Sequence, residues 1–356
     1  MKVAIYIEPW IKQRAGISVY TEGLAKAAVS SKHTFVTIGS KQMNLPFEHI
    51  SISSWAVSFF NPFRYVGLNR INLAKYDVDI LIDPGHYATL GLFKGALKFV
   101  IAHDITPILF PAQHPTRSVL AHKLLMRKSL ESCEKIIAVS NQTKEDIVQH
   151  YGFNDKICCI YPGVQDFDDS IMLDEPFNIS KSPFILTVGT IEPRKNHTRL
   201  IEAFDLFCKQ DKTVNLVIVG ANGWGLNLQE VLDKSVNKDR IHFLGYVPKN
   251  ELLQLYKSAL ISVYVSQYEG FGLPVLEAMK LGSPVITSNL GSMKEISGNA
   301  ALLVDPKSAN EIADAMLNLA NDKLLREKLK EAGSHRAEEF TWNQFIQKMD
   351  EVIENG

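Results

Sequence analysis

Along the chain, short apolar runs alternate with segments whose apolar residues fall at helical spacing. The runs of the first half are Val3–Ile7, Thr34–Ile38, His49–Ile52, Ile80–Ile82, Phe99–Ala102, Ile136–Val139 and Lys156–Ile160. Those of the second are Phe184–Val188, Leu216–Val219, Ile241–Leu244, Leu260–Val265, Val285–Thr287 and Leu302–Val304. Runs of that length, separated by helical patterns, predict a mostly parallel sheet covered by helices. Ligands of such sheets bind beyond the carboxyl ends of the strands, so the loops that follow strands carry the candidate chemistry. The run in MKVAIYIEPW is too short for a signal-peptide core and reads as the first strand. No segment approaches the roughly 18 consecutive apolar residues that a membrane-spanning helix needs.

The richest loop lies in Ser266–Asn289, SQYEGFGLPVLEAMKLGSPVITSN. The pattern predicts strand, loop, helix and strand, with Pro274 as the first helical residue because it needs no N–H there and its φ is already set. Glu277 then falls about one turn into the helix, and Glu269 in the loop ahead. A helix start carries unpaired N–H groups and a partial positive charge, and glycines at 270 and 272 let a ligand approach the main chain. An anion there, with a carboxylate on either side to accept hydroxyl hydrogen bonds, matches a phosphate-linked sugar. Taken as a bare pair of glutamates, the loop also fits a buried glycine turn with two solvated carboxylates.

Three further loops follow strands. In EPWIKQRAGISVYTEGLAKAAV, Gly16 opens an apolar-periodic helix, which serves either a simple turn or a ligand's approach. His103-Asp104-Ile105-Thr106-Pro107 follows Phe99–Ala102. Its imidazole could donate to a sugar hydroxyl or a developing phosphate charge, with Asp104 orienting it or binding an acceptor hydroxyl; a structural histidine is the other reading. GTIEPRKNHTRLIEAF places Arg194 and Lys195 before a helix with the apolar face Leu200, Ile201, Phe204 and Phe207. Two cations oppose the dipole of a helix start, a cost that a doubly charged ligand would offset; solvated charges are the plain alternative. GANGWG and GYVP, the latter with Tyr246 and Val247, follow neighbouring strands and could hold a nucleobase.

Charge changes this picture modestly. The net charge of −1 conceals a first half (1–165) at +6 and a second at −7. A basic first half invites an anionic partner, although a nucleic-acid binder shows a denser basic cluster. Trp55–Tyr76 carries Trp55, Phe59, Phe60, Phe63, Tyr65 and Tyr76 with Arg64, Arg70 and Lys75, and Ile105–Leu130 carries Arg117, Lys123, Arg127 and Lys128, neither with an acidic residue. Such surfaces suit anionic lipid headgroups, as they suit core aromatics beside a solvated basic face. The four cysteines have no zinc spacing and read as reduced, mostly buried residues of a cytoplasmic protein. Asp77-Val78-Asp79 precedes a strand, at the wrong edge of the sheet for a metal role.

The string YEGFGLPVLEAMKLGSPVI resembles the donor-site motif of retaining family 4 glycosyltransferases, with Glu269 and Glu277 as its two glutamates. GTIEPRKN resembles that family's diphosphate-binding loop, the HD pair its sugar-pocket loop, and YPGV at 161–164 its passage out of the first domain. Met293-Lys294 stands where a proline is often seen. The resemblance covers almost the whole chain and implies the α/β GT-B fold, two Rossmann-like parallel-sheet domains facing across a cleft. Its boundaries would be an acceptor domain at 1–164, a linker at 165–182, a nucleotide-sugar domain at 183–339 and a C-terminal helix at 340–356 crossing back. It further implies that Gly16, Gly189, Arg194, Lys195, Tyr246, Val247, Glu269, Gly270, Phe271, Gly272, Leu273 and Glu277 bind the donor. His103, Glu269, Arg194 and Lys195 would be catalytic, and Gly16 and Asp104 would face the acceptor. The expected reaction is metal-independent, cofactor-free hexosyl transfer with retention, mannosyl from GDP-mannose by preference. The expected acceptor is lipid-linked or a polysaccharide, at the inner face of the cytoplasmic membrane. A soluble sugar-phosphate acceptor, or a non-catalytic sugar-nucleotide-binding partner, are the competing expectations.

Overall fold

Every apolar run named above lies on a strand in the computed structural model, which describes residues 1–8, 16–55, 70–85, 87–165, 167 and 182–355. The strand ends move by one or two residues. From the N-terminus come β1 (Lys2–Tyr6), α1 (Gly16–Ala27), β2 (Thr34–Gly39), β3 (Glu48–Ser51), β4 (Ile71–Asn72), β5 (Ile80–Asp83), β6 (Phe93–Lys94), β7 (Leu97–Ala102), α2 (Thr106–Leu109), α3 (Thr116–Glu131), β8 (Lys135–Ala138), α4 (Asn141–Tyr151) and β9 (Ile157–Cys159). The second series is β10 (Phe184–Val188), α5 (His197–Phe207), β11 (Asn215–Val219), α6 (Leu228–Leu232), β12 (Ile241–Gly245), α7 (Lys249–Ser258), β13 (Ile261–Tyr264), α8 (Leu273–Lys280), β14 (Val285–Ser288), α9 (Gly291–Ser297), β15 (Ala301–Val304), α10 (Ala309–Asn321) and α11 (Lys323–Glu338). Helix α12 (Trp342–Glu354) closes the chain.

The chain divides into two units, Met1–Gly163 with Phe340–Gly356, and Val164–Glu339. Among the described residues, the first holds a parallel sheet in the order β3-β2-β1-β5-β7-β8-β9, and β4 pairs with β6 beside it. The second holds a parallel sheet in the order β12-β11-β10-β13-β14-β15. Parallel strands covered on both faces read as continuous apolar runs, and β5, β11, β13 and β14 are buried at every position. The strand order reverses between β1 and β5 in one sheet and between β10 and β13 in the other. At such a switch point neighbouring connections leave toward opposite faces and open a crevice at the carboxyl ends.

Capping residues set several helix ends. Ser140 Oγ accepts from Thr143 N at 3.0 Å and starts α4. The helical stretch from Ala309 to Glu338 divides into two helices, because Asp322 leaves the helical region and its Oδ1 accepts from Leu325 N at 2.9 Å, capping α11. Helix α8 starts one residue before Pro274, after Gly272 at φ 117°. That φ demands glycine, and a Cβ there, 2.0 Å from Met293 Cε, would also displace the methionine methyl. Helix α12 packs on α1 through buried Phe345, Ile346, Met349 and Ile353, with Val352 half-buried. Asp350 on the same face accepts from Ser31 Oγ at 2.6 Å and Lys32 N at 3.2 Å. Of the expected features, the loop at 9–15, most of the aromatic stretch (56–69) and nearly all of the linker (166 and 168–181) lie outside the described residues.

Candidate functional site

Because β10 and β13 are hydrogen-bonded neighbours, the loops after them meet although some 70 residues separate them in sequence. Gln267 N donates to Arg194 O at 2.9 Å and ties the two together. Arg194 forks between two carboxylates, with Nη1 2.5 Å from Glu269 Oε2 and Nη2 2.6 Å from Glu192 Oε1. Nη1 also donates to Tyr268 O at 3.0 Å. Lys195 Nζ lies 2.7 Å from Glu269 Oε1 and donates to Tyr264 Oη, which in turn donates to the same Oε1 at 2.9 Å. Asn196, at φ 64°, is buried and donates to the carbonyls of Val265 at 3.0 Å and Pro306 at 2.7 Å, which fixes the turn into α5.

This arrangement corrects the argument that the Arg194–Lys195 pair at a helix start needs an anionic ligand to offset it. Glu192 and Glu269 supply two negative charges against the two positive ones, all four side chains at 15% exposure or less. Burial alone would raise the Glu269 carboxyl. The charges of Arg194 and Lys195 outweigh it and hold the group at about 2. The Glu269 carbonyl accepts from Ser292 Oγ at 2.7 Å, so main chain and carboxylate are both anchored.

Gly270, Phe271 and Gly272 are buried and lead directly into α8. On that helix Glu277 is half-buried and accepts from Tyr256 Oη at 3.2 Å. Burial pushes its carboxyl above the ordinary range, against the pull of the Tyr256 hydrogen bond and the Lys249 charge. A Cβ on Gly189 would sit 3.6 Å from Lys195 Cδ. Val247 is buried, whereas Tyr246, after β12, is 66% exposed, and Trp224, in the loop after the adjacent β11, is 41% exposed.

In the first unit, His103 stands at the carboxyl end of β7. Its Nε2 lies 2.9 Å from Pro84 O, in the loop after the neighbouring β5. Asp104 Oδ1 accepts from Thr106 N at 2.9 Å and Thr106 Oγ1 at 2.6 Å, which holds the start of α2. Gly16 is the exposed first residue of α1, and a Cβ there would meet nothing within 4 Å among the described residues. Asp77 and Asp79 flank the amino end of β5.

Sequence reasoning passed over Glu192, Tyr264, Tyr256 and Asn196. Glu192 and Asn196 stand inside the quoted loop, and the signal was there: a carboxylate two residues before an arginine, and an asparagine at a helix start. The tyrosines gave none, because Tyr264 reads as one more position of an apolar strand and Tyr256 meets Glu277 only across 21 residues of chain.

Two parallel-sheet units, with charged and glycine-rich loops gathered at strand carboxyl ends, define the GT-B class of glycosyltransferases. The family model for glycosyltransferase family 4 matches residues 14–166, and that for glycosyl transferases group 1 matches 171–336. O-antigen chain mannosyltransferase B of Escherichia coli is 31% identical over 76% of this chain and 72% of that protein. O-antigen chain mannosyltransferase RfbU of Salmonella typhimurium is 32% identical over 69% of this chain and 67% of its own length. HepE of Anabaena, solved in complex with UDP-glucose, superposes with a TM-score of 0.76 at 16% identity, covering 100% of both chains. The chain belongs to the family 4 glycosyltransferases, and it is a transferase of the GT-B fold.

Proposed function

We propose that the protein moves a mannosyl group from GDP-mannose to a lipid-linked or polysaccharide acceptor, with retention and without a metal ion. The observation that carries the donor side is the Arg194–Lys195–Glu192–Glu269 cluster beside the start of α8. When the glycosidic bond breaks, negative charge grows on the departing diphosphate. Arg194, Lys195 and the helix start take it up, in the place a divalent cation would otherwise fill. Since the cluster is already neutral, an arriving diphosphate gains little from excess charge. Its stabilisation comes from fixed donors, which Glu192 and Glu269 aim. Glu277 accepts the ribose hydroxyls, held in place by its Tyr256 hydrogen bond. Gly189, Tyr246 and Val247 border the nucleotide, Gly270–Leu273 the sugar, and His103, Asp104 and Gly16 the sugar and acceptor.

Mannose is favoured by the two O-antigen mannosyltransferase relatives. The lipid-linked acceptor is favoured by α3, whose exposed Leu120 and Leu124 are set among Arg117, Lys123, Arg127 and Lys128. The test is thermal stabilisation and transfer with GDP- and UDP-sugars, each with and without EDTA. GDP-mannose is expected to raise the melting temperature most and to be consumed at the same rate in EDTA. Stabilisation by a UDP-sugar alone would overturn the donor, and loss of turnover in EDTA would overturn the metal-free mechanism.

A further inference from the structure

The His103 imidazole makes two contacts with the loop after β5 and one with α1. On one side is Gly85, where a Cβ would lie 2.6 Å from His103 Cδ2. On the other is Tyr20 of α1, with ring centroids 4.8 Å apart and planes at 89°. The third contact is Pro84 O at Nε2. A carbonyl oxygen only accepts, so this bond requires the proton on Nε2 and leaves Nδ1 as the acceptor nitrogen of the neutral ring.

Tyr20 is itself held from behind by the end of the chain. Trp342 packs on it at 5.3 Å and 75°, and Phe345 at 5.8 Å and 90°, while Trp342 and Phe345 touch each other at 5.3 Å. Trp342 is clamped in turn. A Cβ on Gly23 would lie 2.2 Å from its Cε2 and Cζ2, and one on Gly163 would lie 2.2 Å from its backbone N. The Tyr20 Oη and Trp342 Nε1 are buried with no hydrogen-bond partner among the described residues, so these rings act through their faces and edges.

We propose that Tyr20 and Trp342 are positioning residues that fix the plane and tautomer of His103, so that the C-terminal segment helps to set the sugar-facing imidazole. The consequence for catalysis rests on the role given to His103 above; the consequence for the imidazole does not. With Tyr20 withdrawn, the ring can turn away from Pro84 O, and the Nε2–H tautomer is no longer enforced.

The experiment is nitrogen NMR of the full-length protein labelled at histidine, with His103 assigned by loss of its signals in His103→Asn. Kinetics and melting temperatures are measured on the same samples of Tyr20→Phe, Tyr20→Leu and Trp342→Leu. Tyr20→Phe keeps the ring and is expected to retain both His103 nitrogen shifts and a kcat within about twofold of the parent. Tyr20→Leu and Trp342→Leu are expected to move the two shifts toward each other, as tautomers mix, and to lower kcat tenfold or more with KM for the donor changed less than threefold. If the leucine variants do not fold, Gly23→Ala, which pushes on Trp342, gives the same reading. Unchanged His103 shifts in the folded leucine or Gly23→Ala variants would overturn the proposal, as would loss of the tautomer signature in Tyr20→Phe. If the parent transferred no sugar at all, the functional reading would fail while the NMR result still decided the positioning.

Discussion

Arg194 joins both halves of the proposed donor site, since one guanidinium spans Glu192 and Glu269 while donating to Tyr268 O. No lysine can reproduce that fork. Arg194→Lys keeps the charge and is expected to lower kcat by about 100-fold, as loss of a fixed oxyanion donor does. Steady-state transfer measured on folded protein would check it, and a near-parental rate would remove Arg194 from phosphate stabilisation. Removing both cations in Arg194→Ala/Lys195→Ala leaves two buried carboxylates without their opposite charges, and breaking such a pair costs about 3–5 kcal/mol. That variant is therefore a stability variant as much as an activity variant, a consequence the sequence hid. The motif displayed the cations and Glu269. It could not display that Arg194 and Lys195 meet Glu269 and Tyr264, because those contacts exist only once β10 and β13 lie side by side. His103 was visible as a residue at a strand end, whereas Tyr20, Trp342, Gly23 and Gly163 are linked only by packing of the chain's last helix on its first.

Helix α5 begins where the phosphate-loop candidates end, and its first residue, His197, is 1% exposed with Nδ1 unpartnered among the described residues. Burial, with the Lys195 charge beside it, lowers its imidazole from 6.5 to about 4. The unfolded chain binds a proton below 6.5 that the folded chain refuses until about 4. Stability is then full above 6.5 and falls as pH drops toward 4, by at most about 3 kcal/mol from this group. Glu269 adds to the loss further down, since its folded carboxyl is held at about 2 and its contribution disappears as pH falls from the ordinary range toward that value. Urea unfolding between pH 7 and 4.5 is expected to show a decline that His197→Leu makes shallower. A residual slope remains from His49, whose imidazole burial also holds low. Equal slopes in parent and variant would refute the assignment. Helices and strands of this kind were largely legible, because strands buried on both faces read as continuous apolar runs and helices as period-3.6 patterns. The break at Asp322 was less visible, since apolar spacing continues across it and only a side-chain cap marks the end.

At the scale of the molecule, strand alternation revealed the parallel sheets but not their order, which depends on which strands pair and so on contacts far apart in sequence. Charge was legible directly. The first half is net +6 and the second −7, so electrostatic attraction to an anionic surface falls on the first. Within the first unit, α3 concentrates it. Leu120 and Leu124, one turn apart, are 56% and 63% exposed, and Arg117, Lys123, Arg127 and Lys128 are exposed around them. Arg127 also rests over the Tyr151 ring at 5.5 Å and lies 3.6 Å from Glu131, so its charge is partly spent within the unit. Among the described residues no helix is long and apolar enough to cross a membrane. Each basic residue near an anionic bilayer contributes about 1 kcal/mol, and two leucines inserted at the interface add hydrophobic attachment that salt does not screen. Sedimentation with vesicles containing phosphatidylglycerol is expected to capture the protein at low salt. Binding should weaken as salt rises, and Leu120→Glu/Leu124→Glu should lose it while transfer to a soluble acceptor analogue continues. Equal sedimentation of parent and variant would remove α3 from the contact. Failure of the parent to bind at low salt would favour a soluble sugar-phosphate acceptor, because no surface would then be needed to bring a lipid-linked acceptor to the site.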